Sequence, residues 1–276
     1  MTPDDFRYLR QLVEKLSGIC IEDGREYLFE ARLAAVARDN GFATLSQLVE
    51  HLRATNAPGG VHRAAVEALA TQETSFFRDG HPYEALRKVV LPELIARRAA
   101  TRRLHLWSAA ASTGQEPFSL AILLREHFPQ LVNWEVKIIA TDLSETALAR
   151  ARAGSFNRAE AARGLTASLL AKYFHADEDG VRARDEIRRA VEFRVFNLIG
   201  SWAELPQFDL ILLRNVLIYF GPGMKRSVLE KTRAQLKPDG YLMLGAAETT
   251  LHLDGTYEVM HLEKSSFYRH AKRRGV

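Results

Sequence analysis

Cysteine is nearly absent. Cys20 is the only one in the chain, which excludes an internal disulfide and any site built on paired thiols. It lies in an apolar stretch, so a buried, unreactive thiol in a reducing compartment is expected. Long hydrophobic runs are missing too. No stretch approaches the roughly eighteen apolar residues of a membrane-spanning helix, and Asp4, Asp5, Arg7 and Arg10 interrupt what would be the core of a signal peptide. A cytoplasmic location without membrane insertion is therefore expected.

What is present is an ordinary globular composition with an uneven charge. At 276 residues, 47% hydrophobic and 26% charged, the chain is long enough for one large domain and one small one. The net charge of +4 and pI near 9.2 suggest an acidic partner or nucleic acid. Residues 1 to 80, however, hold 9 basic and 12 acidic side chains, which leaves +7 on the remainder. That excess gathers in Arg97, Arg98, Arg102 and Arg103 and in Arg182, Arg184, Arg188, Arg189 and Arg194. Solvated faces explain such clusters as well as a partner does.

Hydrophobic spacing divides the chain. Phe6, Leu9, Leu12, Val13 and Leu16 recur at helical intervals, as do Leu45, Leu48, Val49 and Leu52, with Leu28, Leu33 and Val36 between them. After the loop-like Thr55 to Gly60, apolar positions return at Val66 and Leu69. Residues 1–75 thus read as an all-α N-terminal domain. From about residue 80, helices alternate with short apolar runs, as in a parallel sheet covered on both faces, so 76–276 reads as an α/β domain. Its strands are expected at Leu104 to Trp107, Val136 to Thr141, Val191 to Phe196, Phe208 to Leu213 and Tyr241 to Ala246, and its helices at Pro117 to His127, Glu145 to Ala153 and Gly223 to Leu236. Val181 to Arg184 and Ile187 to Phe196 also alternate apolar with basic residues around Asp185-Glu186, which predicts an antiparallel β-insertion near 173–196.

Ligands of open α/β sheets lie beyond the carboxyl ends of the strands, and polar residues follow several of those predicted here. The first is followed by Ser108 to Phe118, a loop of small side chains whose one glycine cannot complete a G-x-G-x-x-G phosphate cradle. A cationic cofactor without phosphate, such as S-adenosylmethionine, needs no such cradle. Glu116 would face its positive side, although the Thr113/Glu116 spacing equally suits a capping box. Asp142 ends the second strand as a candidate ribose acceptor, with Ser144 better placed to cap the next helix. Arg214 and Asn215 emerge from the buried run 208–213, ahead of Tyr219-Phe220, a pair that taken alone is more often core than site. Thr71 to Arg78 joins the two domains, where Arg78 taken alone would be a surface arginine.

Together these segments resemble the CheR family of chemotaxis receptor glutamate methyltransferases. The matching pieces are Glu73-Thr74-Ser75-Phe76-Phe77-Arg78, Leu106-Trp107-Ser108 through Ser119-Leu120-Ala121, Asp142-Leu143-Ser144, Arg214 through Phe220, and Leu236-Lys237-Pro238-Asp239-Gly240-Tyr241 followed by Leu244-Gly245. They occur in the family's order and span most of the chain. The resemblance implies a Rossmann-like S-adenosylmethionine-dependent methyltransferase domain, an all-α N-terminal domain and a small inserted antiparallel β-subdomain. It also implies cofactor contacts at Gln72, Thr74, Arg78, Glu116, Asp142, Asn197, Leu198, Arg214 and Asn215, with S-adenosylhomocysteine as product and no metal. Gln72 stands where the family usually has asparagine, and Gln115 replaces the first glutamate of its Glu-Glu-Pro motif.

The implied substrate is the γ-carboxylate of glutamates on a chemoreceptor's cytoplasmic helices. A glutamate with a pKa near 4.3 is already an anion at about pH 7, so a site without an evident His-Asp pair suffices. Arg78 and Tyr219 are the candidates for orienting the acceptor. Two rivals are a methyltransferase of RNA or another protein, suggested by the basic pI, and a binding module that senses the cofactor without turnover. Members of the family that grip a C-terminal receptor pentapeptide carry a longer, glycine-bearing loop in the β-subdomain. Here His175 to Gly180 is short, with Asp177, Glu178 and Asp179, so no pentapeptide tether is expected. Recognition then falls to the helical module, where Arg25 and Arg32, one heptad apart, would face an acidic helix.

Overall fold

The computed structural model describes residues 1–55 and 59–271; Asn56 to Pro58, within the expected 55–60 loop, lie outside the described residues. The chain divides into two compact units, Met1–Thr71 with Tyr219–Met224, and Gln72–Ile218 with Lys225–Val276.

The first unit is built of α1 (Pro3–Ser17), α2 (Glu26–Asp39), α3 (Leu45–Ala54) and α4 (Gly60–Leu69). Thr2 and Asp5 close a capping box on α1, and Gly18 ends it in the left-handed conformation at φ 76°. The periodic residues Phe6, Leu9, Val13, Leu33, Leu48, Leu52 and Val66 are buried, and Phe6 meets Phe29 edge to face at 4.9 Å. Arg32 is not turned outward as expected. Its Nη1 donates to the Leu69 and Ala70 carbonyls at 2.9 and 3.3 Å, satisfying the end of α4. Arg25 is exposed, stands at the N-cap of α2 and pairs with Glu22. The return segment belongs here: Cys20 N–H donates to Tyr219 O at 2.8 Å, and Ile19 bridges Phe220. That extended pairing alternates the side chains, so Ile19 and Ile21 are half-buried and Cys20, against expectation, is exposed. Partial desolvation and the Glu14 carboxylate hold its thiol above the usual range, which keeps it a weak nucleophile.

Among the described residues the second unit holds ten strands: β1 (Arg103–Ala109), β2 (Glu135–Asp142), β3 (Ser155–Asn157), β4 (Phe174–Asp177), β5 (Gly180–Ala183), β6 (Val191–Val195), β7 (Phe208–Leu213), β8 (Leu236–Leu244), β9 (Tyr257–Leu262) and β10 (Ser265–His270). The main sheet runs β6-β2-β1-β7-β8-β10-β9, with parallel pairing from β6 to β8 and an antiparallel hairpin at its end. β7 is buried along its whole length, as a continuous apolar run in a doubly covered sheet should be. Trp107 of β1 stacks on Phe208 of β7 at 5.2 Å and meets Trp202 edge to face at 5.0 Å. The order makes β1 the switch point, since the chain proceeds from it to β2 and β6 on one side and then crosses to β7 and β8 on the other.

The insertion differs from its expected form. β3, β5 and β4 make a three-stranded antiparallel sheet, so it draws on 155–157 and ends at Ala183. Val191–Val195, expected within it, pairs in parallel with β2 from Ile138↔Val191 to Asp142↔Val195. The intervening Asp185-Glu186 begins a short helix, Asp185–Arg188, instead of a hairpin turn. The real turn is Glu178-Asp179, between the paired Asp177 and Gly180. Asp177 is held by Ser155 Oγ at 2.8 Å and Arg182 at 3.5 Å, so it does not add to an outward acidic face.

At the opposite end of the sheet Asp209 is fully buried, yet it sits inside the apolar β7. Arg98 Nε donates to it at 2.6 Å, Lys237 Nζ at 2.9 Å and the His105 amide at 2.8 Å. Removing one member of a buried ion cluster strands the others' charges, at a cost of about 3–5 kcal/mol. Asp209→Ala should lose that much in urea denaturation, whereas an exposed pair such as Arg38–Asp39 should give less than about 1 kcal/mol.

Candidate functional site

The loop after β1 takes left-handed conformations at Ala110, Ser112 and Gly114, with φ 58°, 53° and 96°. Only the last is a glycine, and it must be: a Cβ there would stand 2.9 Å from Ala151 Cβ. The other two are held against their strain, of about 1 kcal/mol or more each, by backbone hydrogen bonds. Ala111 N–H donates to Thr141 O at 2.8 Å, and Ser112 N–H to Asp142 Oδ2 at 2.8 Å. Asp142 Oδ1 accepts from Ser144 N–H at 2.9 Å. Ser144 Oγ accepts from Ala147 N–H at 3.0 Å and caps Glu145–Ala153, as expected. Asp142 is less free than expected. It is 6% exposed, and both its oxygens accept from loop amides.

Glu116 resolves its two readings. The helix Gln115–His127 has Gly114 at its N-cap and no side-chain cap, while Thr113 Oγ1 donates to Gln115 Oε1 at 2.8 Å, so there is no capping box. The Glu116 carboxylate instead accepts from Ser108 Oγ at 2.7 Å and from Arg214 Nη1 at 3.2 Å. Arg214 follows β7, and its side chain is 2% exposed. Nη2 donates to Asp79 Oδ2 at 2.7 Å and to Arg78 O at 3.1 Å. The guanidinium also lies 6.0 Å from the centre of the buried Tyr83 ring. Arg214 thereby pins the Phe77–Gly80 turn, in which Phe77, Asp79 and Gly80 are all left-handed. Arg78 is half-buried, with Nη1 donating to Glu73 O at 3.2 Å.

The remaining candidates of this unit lie on loops. Gln72 accepts from Ser112 Oγ at 3.2 Å through its carbonyl, and Thr74 is half-buried nearby in the chain. Asn197 and Leu198 follow β6, tied to the end of β2 by Phe196 N–H donating to Asp142 O at 2.8 Å. Leu198 is buried. Lys231 Nζ binds the carbonyls of Leu198, Ile199 and Gly200 at 3.5, 3.0 and 2.8 Å and so holds this loop closed. Asn215 is left-handed at φ 56°, its amide bound to Glu248. Tyr219 groups with the helical unit, where it is half-buried beside the buried Phe220. Sequence reasoning did not single out Ser108, Asp79, Lys231 or Glu248. Of these, Ser108 stood within a matched segment and Asp79 beside the matched Arg78, whereas Lys231 and Glu248 carried no local signal.

The residues suit an amino-acid-bearing nucleoside. Gln72 Oε1 and Arg214 Nε are buried without a hydrogen-bond partner, an acceptor and a donor suited to an ammonium and a carboxylate respectively. Asp142 and Glu116 add two buried acidic side chains. No helix among the described residues is long and apolar enough to cross a membrane.

Burial lifts the Glu116 carboxyl above its ordinary value of 4.5, against the pull of Arg214 and Ser108. A carboxyl whose folded pKa is raised contributes stability that is fully present below the unfolded value and is lost as pH rises through the folded one. Glu116→Gln removes this dependence. Urea denaturation between pH 4.5 and neutrality should show the variant gaining on the wild type as pH rises; a pH-independent difference would contradict the assignment.

Residues 72–266 match the family description "CheR methyltransferase, SAM binding domain", and residues 4–69 match "CheR methyltransferase, all-alpha domain". The chain is 40% identical over 270 residues to chemotaxis protein methyltransferase 1 of Pseudomonas aeruginosa, covering 96% of this chain and 97% of that protein. It is 38% identical over 270 residues to chemotaxis protein methyltransferase Cher2 of Pseudomonas putida, again covering 96% and 97%. With chemotaxis protein methyltransferase 1 of Vibrio cholerae the identity is 36% over 273 residues, covering 98% of each. The chain belongs to the CheR methyltransferase family, and its Rossmann-like unit is an S-adenosylmethionine-dependent methyltransferase domain.

Proposed function

We propose that the chain is a protein-glutamate O-methyltransferase that forms γ-methyl esters on the cytoplasmic helices of chemoreceptors. The observation that carries this reading is the match to chemotaxis protein methyltransferases over nearly the whole chain, and the chemistry of the site supports it. Bound S-adenosylmethionine supplies an electrophilic methyl group on a sulfonium. Gln72, Thr74, Glu116, Asp142, Asn197, Leu198, Arg214 and Asn215 hold it, with Arg78 completing the set. A glutamate acceptor ionised at about pH 7 gives up no proton, so the protein's work is alignment and the exclusion of water.

Arg78 orients the acceptor carboxylate. One of its five N–H groups is committed to Glu73 O, and the Arg214 contact to its own carbonyl fixes its backbone. The Tyr219 hydroxyl is the second orienting group. Reaction in the cytoplasm follows from the location of the receptor helices.

Two features bear on partners. The two-residue turn Glu178-Asp179 supports an enzyme that needs no C-terminal pentapeptide tether. The arginines of the basic clusters are largely answered within the chain, as in Arg98 with Asp209 and Asp239, Arg189 with Asp185, and Arg194 with Glu192. That favours a protein substrate over nucleic acid, with neither tether nor RNA required.

Incubation with radiolabelled S-adenosylmethionine and receptor-containing membranes should yield base-labile receptor label that bulk RNA does not suppress; alkali-stable label would reject the ester. Arg78→Ala should lower kcat/KM about 10- to 100-fold, the worth of a hydrogen bond to a charged group, with little change in melting temperature. Asp142→Asn, which keeps one acceptor oxygen and so one of the two loop-amide contacts, should weaken S-adenosylhomocysteine about tenfold in calorimetry. Unchanged affinity would remove Asp142 from the ribose.

A further inference from the structure

β7 and β8 lie side by side in parallel register as far as Leu213↔Leu244, and each then opens into a turn. One side chain joins the two turns. Glu248, which is buried, accepts the Asn215 and Gly245 amide hydrogens on Oε2, both at 2.7 Å, and that of Ile218 on Oε1 at 3.2 Å. The approach is close: a Cβ on Gly245 would stand 2.7 Å from Glu248 Oε2 and from Asn215 Nδ2. Asn215 is the left-handed residue of the turn, a conformation that needs outside support in a residue other than glycine.

We propose that Glu248 is a positioning residue for methyl transfer, its carboxylate fixing the backbone of Asn215 on the cofactor side and of Ile218, next to Tyr219, on the acceptor side. This rests on the roles given above to Asn215 and Tyr219. The hydrogen-bond pattern separates the role from general stability. All three amides lie beyond the strand ends, while the β7–β8 ladder from Leu210↔Tyr241 to Leu213↔Leu244 makes no use of Glu248. Charge matters because both oxygens must accept at once. An amide side chain has one acceptor oxygen, and its NH2 would oppose a third N–H.

Two variants separate the oxygens. Glu248→Gln can keep its oxygen on Asn215 and Gly245 and present its NH2 to Ile218. It should bind S-adenosylhomocysteine within roughly threefold of wild type in calorimetry while kcat on receptor membranes falls about tenfold. Glu248→Asp draws the carboxylate back by one methylene from all three amides, and should weaken S-adenosylhomocysteine about tenfold and raise the cofactor KM with it. Circular-dichroism melts of both record how much of the fold each retains. Wild-type behaviour in both variants overturns the proposal. So do losses of affinity and kcat in one common proportion that tracks the melting temperature. Asn215→Ala in the same titration separates this proposal from the reading on which it rests. If Asn215→Ala is weakened and Glu248→Asp is not, Glu248 has no positioning role. If Glu248→Asp is weakened and Asn215→Ala is not, the cofactor assignment of Asn215 fails and Glu248 acts through the turn's backbone alone.

Discussion

A guanidinium buried at the end of a parallel strand must be answered by anions from its own chain, because the loss of its hydration is otherwise worth several kcal/mol. Arg214 emerges from β7 in that position, and it is answered from two separate stretches of sequence. Glu116 comes from the helix after β1, and Asp79 comes from the turn that precedes the first helix of the unit. The Arg78 carbonyl is the third acceptor. One side chain therefore fixes the relative placement of three segments, each of which carries candidate site residues. The Phe77–Gly80 turn, with three left-handed residues, would not hold its shape as an isolated peptide.

The same device recurs with backbone amides in place of a guanidinium. Asp142 binds the amides of Ser112 and Ser144, and Glu248 binds those of Asn215, Ile218 and Gly245. Carboxylates thus hold turns beyond the ends of β2 and β8. This explains a loop after β1 that manages with one glycine. Where phosphate-binding folds turn amides toward an anionic ligand, this chain directs one of them to its own aspartate, consistent with a cofactor that is cationic.

The sheet edge shows how close an amphipathic reading can come and still miss. Residues 187–196 alternate apolar with charged side chains, which fits an antiparallel ribbon and equally an edge strand of a larger sheet with one face exposed. The decision came from β2, whose outer edge was open to parallel pairing, and from Asp185, which starts a helix where a turn was read. The loop after β6 consequently lies beside the end of β2. That places Asn197 and Leu198 next to Asp142 instead of on a distant ribbon.

Sequence alone determined the two-part organisation, the four N-terminal helices and the strands at β1, β2 and β7, because hydrophobic periodicity is a local property that survives without tertiary context. It also put Asp142, Arg214 and Asn215 at the ends of strands and Glu116 in the segment after the first, because polar groups in an open sheet gather there. It missed the β9–β10 hairpin, whose half-exposed strands carry a weak apolar signal. Tertiary structure decided what each charged group is for. Arg32 became a helix-end donor, Thr113 and Glu116 parted from a capping box, and Asp142 became a tie between loops. Such roles depend on which donor a buried carboxylate meets across gaps of 30 to 98 residues, and no local pattern encodes a partner at that distance.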